Sequence, residues 1–117
     1  MEPHPVLIPA RLKRTEAFRA VYRRGRWAKG RQLSVGVLPN QAETTRVGLR
    51  TRRGLKGAVV RNRLKRQLRA ILFTGKISLR VGLDVVVVIH PQQPIVPATS
   101  LEQELLTLCK RSGSLQN

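Results

Sequence analysis

Apolar residues recur at helical spacing near the start of the chain and then alternate along two short runs. Thr15 is a good helix N-cap and Gly25 is a typical helix stop, which predicts a first helix between them. Its apolar positions, three and four residues apart, are Phe18, Val21 and Tyr22. The runs 32–38 and 44–51 alternate loosely around a short polar loop and predict a β-hairpin.

The segment from Ala58 to Phe73 has the clearest pattern, that of a helix with one apolar and one basic face. At about 100° per residue, one side carries Val60, Leu64, Leu68, Ile71 and Leu72. The other side carries Asn62, Arg63, Lys65, Arg66 and Arg69, while Arg61 falls towards the apolar side. This pattern predicts a helix that packs on a core and presents its basic face outward.

The last third of the chain predicts one buried strand and a final helix. The run 83–89 is almost entirely apolar and stops before Pro91, which is typical of a strand buried on both faces at the centre of a sheet. Ser100 caps a C-terminal helix that ends near Gly113. We therefore expect a basic, proline-containing arm (1–14), a single domain (15–112) and a short tail (113–117).

The charge balance points to a partner. In 117 residues, 23 Lys and Arg stand against 6 Asp and Glu, a formal net charge of +17, and no acidic residue occurs between Thr44 and Gly82. A solvated helix face normally mixes signs, because opposite charges form pairs worth about 0.2–0.5 kcal/mol each. A face of one sign repels itself unless an external anion binds. The expected partner is therefore a polyanion, and a phosphodiester backbone is the obvious one.

Other classes of site find little support in the sequence. Cys109 is the one cysteine, so no intramolecular disulfide forms, and a reducing, cytoplasmic location is expected. The run Val85–Ile89 is too short to span a membrane. Neither His4 nor His90 has a local partner that would make a catalytic base or a metal ligand. We expect no catalytic residue, metal or cofactor in the protein itself, and we interpret Cys109 as a small core residue.

An ordered set of motifs resembles the protein component of bacterial ribonuclease P. The set comprises Arg46-Val47-Gly48-Leu49, the basic pair Arg52-Arg53, Ala58, Arg61-Asn62-Arg63-Leu64-Lys65-Arg66 and Gly82-Leu83-Asp84-Val85. The resemblance covers roughly residues 11 to 110, in matching order and spacing. Gly36 departs from the family pattern, because it falls on a strand where we expect a larger side chain lining the cleft.

The resemblance implies an α/β two-layer sandwich of order α-β-β-α-β-α around one small sheet. It also implies a left-handed β-α-β crossover between strands 44–52 and 83–90. The implied function is that of the protein subunit of ribonuclease P, a ribonucleoprotein endonuclease and hydrolase that removes the 5′ leader in tRNA processing. In that family the RNA subunit carries out the hydrolysis with bound magnesium. The implied partners are the RNA subunit and precursor tRNA, with no membrane and no DNA.

The resemblance also assigns two sites to residues of this chain. The face that binds the RNA subunit would consist of Arg61, Asn62, Arg63, Lys65, Arg66 and Arg69. The cleft that binds the leader would consist of Phe18, Tyr22, Arg52 and Arg53. An aromatic plane stacks on a base without reading its identity. Core packing is the alternative for the two aromatic residues, and a solvated turn is the alternative for the two arginines.

Other functions are compatible with parts of the sequence. A ribosomal or other structural RNA-binding protein without a role in cleavage would share the basic α/β composition. Residues 58–73 would also suit a helix in the major groove of DNA, and the basic run alone would suit a solvated helix face or a nuclear-localisation signal. A nuclease that acts without RNA would need the ligand set that the sequence lacks. A catalogue of crosslinked RNAs, and competition between duplex DNA and folded RNA, would separate these functions.

Overall fold

The computed structural model describes residues 8–52, 57–90 and 98–115, which form one mixed α/β domain. Its elements are β1 (Ala10–Arg11), α1 (Thr15–Arg24), β2 (Arg26–Lys29), β3 (Leu33–Pro39), β4 (Arg46–Thr51), α2 (Ala58–Leu72), β5 (Leu83–Ile89) and α3 (Ala98–Ser112). The α/β class and the order of the six predicted elements are confirmed. The short strands β1 and β2 are additions that the sequence did not predict.

The five strands form one sheet in the order β1-β4-β5-β3-β2. The predicted hairpin between β3 and β4 is wrong, because β5 lies between them, antiparallel to β3 and parallel to β4. All seven residues of β5 are buried. A strand this apolar is stable where both edges are paired and both faces are covered, and the sheet centre meets both conditions. Its predicted central place is thus confirmed.

Helices cover both faces of the sheet. Val85, Val87 and Ile89 of β5 pack into the larger core with α2 and α3, whereas Val86 and Val88 face α1 in a smaller core. The predicted two-layer arrangement therefore describes the sheet with α2 and α3, and α1 adds a layer on the opposite face. No helix in the described ranges is long and apolar enough to cross a bilayer.

Both ends of the described chain are attached to the domain. Within the predicted arm, Ala10 and Arg11 pair in parallel with β4, and Leu12 is buried. Within the predicted tail, Ser114 is buried and Leu115 bridges to Leu79. The packed part of the chain is therefore longer at each end than the range 15–112.

A partly buried ion pair joins the parallel strands β4 and β5 near their N-terminal ends. The Arg46 guanidinium donates to both carboxylate oxygens of Asp84 at 2.8 Å, and Asn40 Nδ2 donates to Asp84 Oδ1 at 2.9 Å. Asp84 is only 5% exposed. Bidentate pairing of this kind compensates a buried carboxylate for lost hydration, and it fixes β4 relative to β5.

Candidate RNA interface

The basic face of α2 projects into solvent, as its sequence pattern predicts. Leu64, Leu68, Ile71 and Leu72 are buried under the helix. On the opposite side Asn62, Arg63, Arg66 and Arg69 are exposed, while Arg61 and Lys65 are half-buried. The separation of the two faces is confirmed, and Arg61 lies at their boundary, as its angular position suggested.

Nothing acidic within α2 offsets the charge of this face. The helix has no acidic residue in its first turn, and its N-cap, Gly57, provides no side-chain hydrogen bond. Cations near a helix N-terminus oppose the helix dipole. The ion pairs found within the described ranges, Arg46–Asp84 and Lys76–Glu102, both lie off this face. The arrangement favours an external anion along α2.

A second surface is a groove of about 400 Å³ beside α1. Its walls come from the end of α1, from β2 and β3, and from the ends of β4 and β5. The lining residues are Tyr22, Trp27, Lys29, Ser34, Thr51, Arg52, Val88 and His90. Aromatic rings, cations and hydrogen-bonding groups thus meet in one place, as binding of single-stranded nucleic acid requires.

Two stacked rings form the aromatic wall of this groove. The Tyr22 and Trp27 ring centroids are 5.4 Å apart, with 19° between the ring planes. Tyr22 is 50% exposed. The Trp27 indole N–H donates to the Val21 carbonyl at 3.1 Å, which holds the ring against the end of α1. The stack is therefore a fixed surface rather than a pair of freely rotating side chains.

Trp27 is a site residue that the sequence analysis missed, and Gly36 was the signal for it. The two residues are directly opposite in the β2–β3 pairing. A Cβ on residue 36 would lie 2.4 Å from the Trp27 ring, so only glycine leaves room for the indole. The Trp27 indole, on the neighbouring strand, thus occupies the space that a side chain at position 36 would fill.

The structure separates Phe18 from Tyr22. Phe18 is 6% exposed and packs with Leu12, Val21 and Val86 in the smaller core. Its ring lies over Gly48, where an added Cβ would approach to 2.3 Å. Phe18 thus packs in the core and does not line the groove, whereas Tyr22, four residues further along the helix, does line it.

Of the two arginines of the basic pair, the structure describes Arg52. Arg52 is exposed and lines the groove, and its backbone N–H donates to the Ile89 carbonyl at 2.8 Å. That bond anchors the chain after β4 to the end of β5. Arg53 lies outside the described residues.

The remaining candidate residues are accounted for by packing and hydrogen bonds. His90 follows β5 at the groove, and its Nε2 lies 2.8 Å from the Ser34 hydroxyl. Cys109 is buried, and burial raises the pKa of its thiol. A hydrogen bond with Ser114 lowers the pKa in part, and the resulting pKa is about 11. Such a thiol is a core group, as predicted, and is protonated at neutral pH. Within the described ranges no three His, Cys, Asp or Glu residues are placed to hold a metal ion.

Comparisons with known proteins show the family to which the chain belongs. Residues 9–113 match the family model described as Ribonuclease P. The chain is 41% identical over 107 residues to the ribonuclease P protein component of Symbiobacterium thermophilum, covering 91% of this chain and 93% of that one. The Thermotoga maritima RNase P protein structure superposes with a TM-score of 0.74 at 27% identity, covering 86% of this chain and 96% of that one. The Staphylococcus aureus RNase P protein has a TM-score of 0.78 at 24% identity, with 91% and 97% covered, and supports the fold. The chain therefore belongs to the ribonuclease P protein family.

Proposed function

We propose that this protein binds the catalytic RNA of ribonuclease P through α2 and the 5′ leader of precursor tRNA through the groove beside α1. It thereby promotes endonucleolytic 5′ maturation of tRNA. The observation that carries the proposal is the pairing of two different surfaces on one domain, a basic helix face and a groove with an aromatic wall. A protein that holds one RNA against another needs two such surfaces.

The helix face suits a folded RNA. Its exposed arginines, among them Arg63, Arg66 and Arg69, provide planar forks for bidentate phosphate contacts. Asn62 both donates and accepts hydrogen bonds, which suits a base edge or a 2′-hydroxyl. Because the helix is packed on the core through its apolar side, these groups are presented on a rigid support.

The groove suits a single strand. The Tyr22–Trp27 stack offers a flat apolar surface for a base, and Lys29 and Arg52 provide charge for the phosphates that flank it. Stacking of this kind tolerates any base. The groove would therefore accept leaders of varied sequence, as a processing enzyme with many precursor substrates requires.

We place the hydrolytic chemistry on the RNA subunit with its bound magnesium, as the family relationship suggests. In this proposal the protein contributes no catalytic residue and no cofactor. Its tasks are to neutralise RNA phosphates and to position the leader. The two RNAs are its partners, its location is the cytoplasm, and neither DNA nor a membrane has a part.

Reconstitution tests this function. The protein is combined with a bacterial ribonuclease P RNA and a precursor tRNA at low magnesium, where electrostatic support matters most. We expect the protein alone to leave the precursor intact and to increase cleavage strongly when the RNA subunit is present. Cleavage by protein freed of all RNA would contradict the proposal. So would a protein that has no effect on the RNA subunit and crosslinks in cells to ribosomal RNA instead.

A further inference from the structure

The turn that joins β2 to β3 is held by a carboxylate from α3. Glu104 Oε2 accepts hydrogen bonds from the backbone N–H groups of Gln32 and Leu33, both at 2.7 Å. Two successive N–H groups that point at one oxygen form a small concavity that a carboxylate fits. Hydrogen bonds to a carboxylate are shorter and stronger than those to a neutral oxygen. The turn therefore depends on a side chain from a distant part of the chain.

Glu104 has a rigid support and fits closely against the turn. Leu105 and Leu108, on the same helix, are at most 1% exposed in the larger core, so the backbone of α3 is fixed against the sheet. Gly30 is the first residue after β2, and a Cβ there would lie 2.9 Å from Glu104 Cδ. Glycine at this position thus leaves the space in which the carboxylate lies.

The turn connects two parts of the groove wall. Lys29 precedes the turn and Ser34 follows it, and both line the groove. These two residues are opposite each other in the same strand pairing that places Trp27 opposite Gly36. Strand β2 lies at one edge of the sheet, next to β3. The positions of Trp27 and Lys29 therefore depend on this one pairing and on the turn that closes it.

The other side of the turn is held independently by β5. The His90 N–H donates to the Gln32 carbonyl at 2.9 Å, and His90 Nε2 lies 2.8 Å from the Ser34 hydroxyl. Strand β3 also pairs with β5 along all seven of its residues. Loss of the Glu104 carboxylate would thus leave β3 in place and release the turn together with β2. The expected effect is local displacement of the groove wall.

We propose that Glu104 is a positioning residue for the groove, although it packs on the opposite face of the sheet and does not line the groove. Its carboxylate fixes the turn, and the turn fixes the pairing of β2 with β3. That pairing holds the Trp27 ring and Lys29 in the groove wall. Supporting residues must hold a binding surface within about 0.5 Å of its productive geometry. The effect of Glu104 on leader binding rests on the proposed function, whereas its hold on the wall does not.

Two conservative variants of the full chain test the hold on the wall in the absence of RNA. Glu104→Asp keeps the charge and shortens the side chain by one methylene, whereas Glu104→Gln keeps the length and one acceptor oxygen. Trp27 is the one tryptophan of the sequence, so its fluorescence reports on the wall alone. We expect Glu104→Asp to shift the Trp27 emission and the amide NMR signal of Gln32, and Glu104→Gln to resemble the unaltered protein.

Glu102→Asp is the matched control. Glu102 lies on the same helix and pairs with Lys76 at 3.0 Å, so its shortening should leave the Trp27 emission unchanged. The amide NMR spectrum of each variant also shows whether the domain is folded. An unshifted emission in Glu104→Asp would overturn the proposal. So would an equal shift in Glu104→Gln, because the charge of residue 104 and not its reach to the turn would then be responsible.

The reconstituted holoenzyme tests the consequence for the leader. Affinities for precursor and mature tRNA are measured at a temperature at which every variant is folded. Glu104→Asp should reduce the preference for precursor roughly fivefold or more, the lower end of the effect of losing a stacking partner. Glu104→Gln should retain the preference, and affinity for the RNA subunit should be unchanged in both variants. A residue that only stabilised the fold would weaken all three RNA affinities together.

Removal of the carboxylate separates positioning from net charge by the sign of the effect. Loss of a negative charge by itself favours RNA binding, so electrostatics alone predicts that Glu104→Ala and Glu102→Ala both retain or raise precursor preference. Positioning predicts a fall in Glu104→Ala only, and equal behaviour of the two variants would overturn it. A shifted Trp27 emission in Glu104→Asp with full precursor preference would confirm the hold on the wall and reject leader binding in the groove. An unshifted emission would reject the role of Glu104 and leave the proposed function intact.

Discussion

Replacing Tyr22 by leucine tests whether the stacked pair is the leader-binding surface. The substitution keeps an apolar side chain at a position that is half exposed, and it removes one ring of the Tyr22–Trp27 stack. If a leader base loses its stacking partner, the preference for precursor over mature tRNA should fall by about 1–3 kcal/mol, roughly five- to 150-fold in affinity ratio. Binding of the RNA subunit should be unchanged, because no residue of α2 is among the described residues that line the groove with Tyr22.

The same substitution should have only a small effect on the stability of the folded protein. An aromatic pair contributes about 0.5–1.5 kcal/mol beyond the area that it buries, so Tyr22→Leu should lower the melting temperature by only a few degrees. Phe18→Ala is the contrasting variant. Truncating a buried phenylalanine costs about 3–5 kcal/mol, which is a large part of the stability of a domain of this size.

Both quantities are measured on both variants, by equilibrium binding of precursor and mature tRNA to the holoenzyme and by thermal melting. If the groove binds the leader, Tyr22→Leu should lose precursor preference with little loss of stability, and Phe18→Ala should lose stability first. A Tyr22→Leu protein that retains full precursor preference would refute the groove assignment. A Tyr22→Leu protein that melts far earlier and loses both RNAs together would show that this ring is a structural residue.

Three further outcomes follow from the structure. Arg66→Ala should flatten the salt dependence of RNA-subunit binding by about one phosphate contact, and an unchanged slope would remove this residue from the interface. Gly36→Ala should displace the Trp27 ring, since the new Cβ would lie 2.4 Å from it, and should shift tryptophan fluorescence while weakening precursor preference. Burial raises the pKa of Cys109 to about 11 in the folded protein, above its ordinary 9.0. The buried, protonated thiol therefore makes its full contribution to stability below pH 9, and this contribution is lost as pH rises towards 11. Between pH 9 and 11, the free energy of unfolding should therefore fall more steeply in the unaltered protein than in Cys109→Ala. The two slopes should differ by up to about 1.4 kcal/mol per pH unit. Denaturant titration of both proteins at several pH values measures this difference.

The features that the sequence predicted correctly depend on local periodicity. The two faces of α2 follow from the turn of a helix, because the 3.6-residue repeat places Leu64, Leu68 and Leu72 on one side whatever the rest of the chain does. The burial of β5 follows from its composition, since a run such as Val85–Val88 is stable only when both faces are covered. The excess of charge likewise needs no fold to indicate a polyanionic partner.

The features that only the tertiary structure decided depend on contacts between distant residues. Strands β3 and β4 are neighbours in sequence, yet β5 separates them, because sheet order is set by which faces are buried together and not by proximity along the chain. Phe18 and Tyr22 share a helical stripe, but Phe18 packs against Gly48 of β4 and is core, whereas Tyr22 stacks on Trp27 of β2 and is half exposed. The partnership of Trp27 with Gly36, and the meeting of Glu104 with the β2–β3 turn, arise only when strands and helices pack, since a side chain's neighbours across a sheet are not encoded in its own segment.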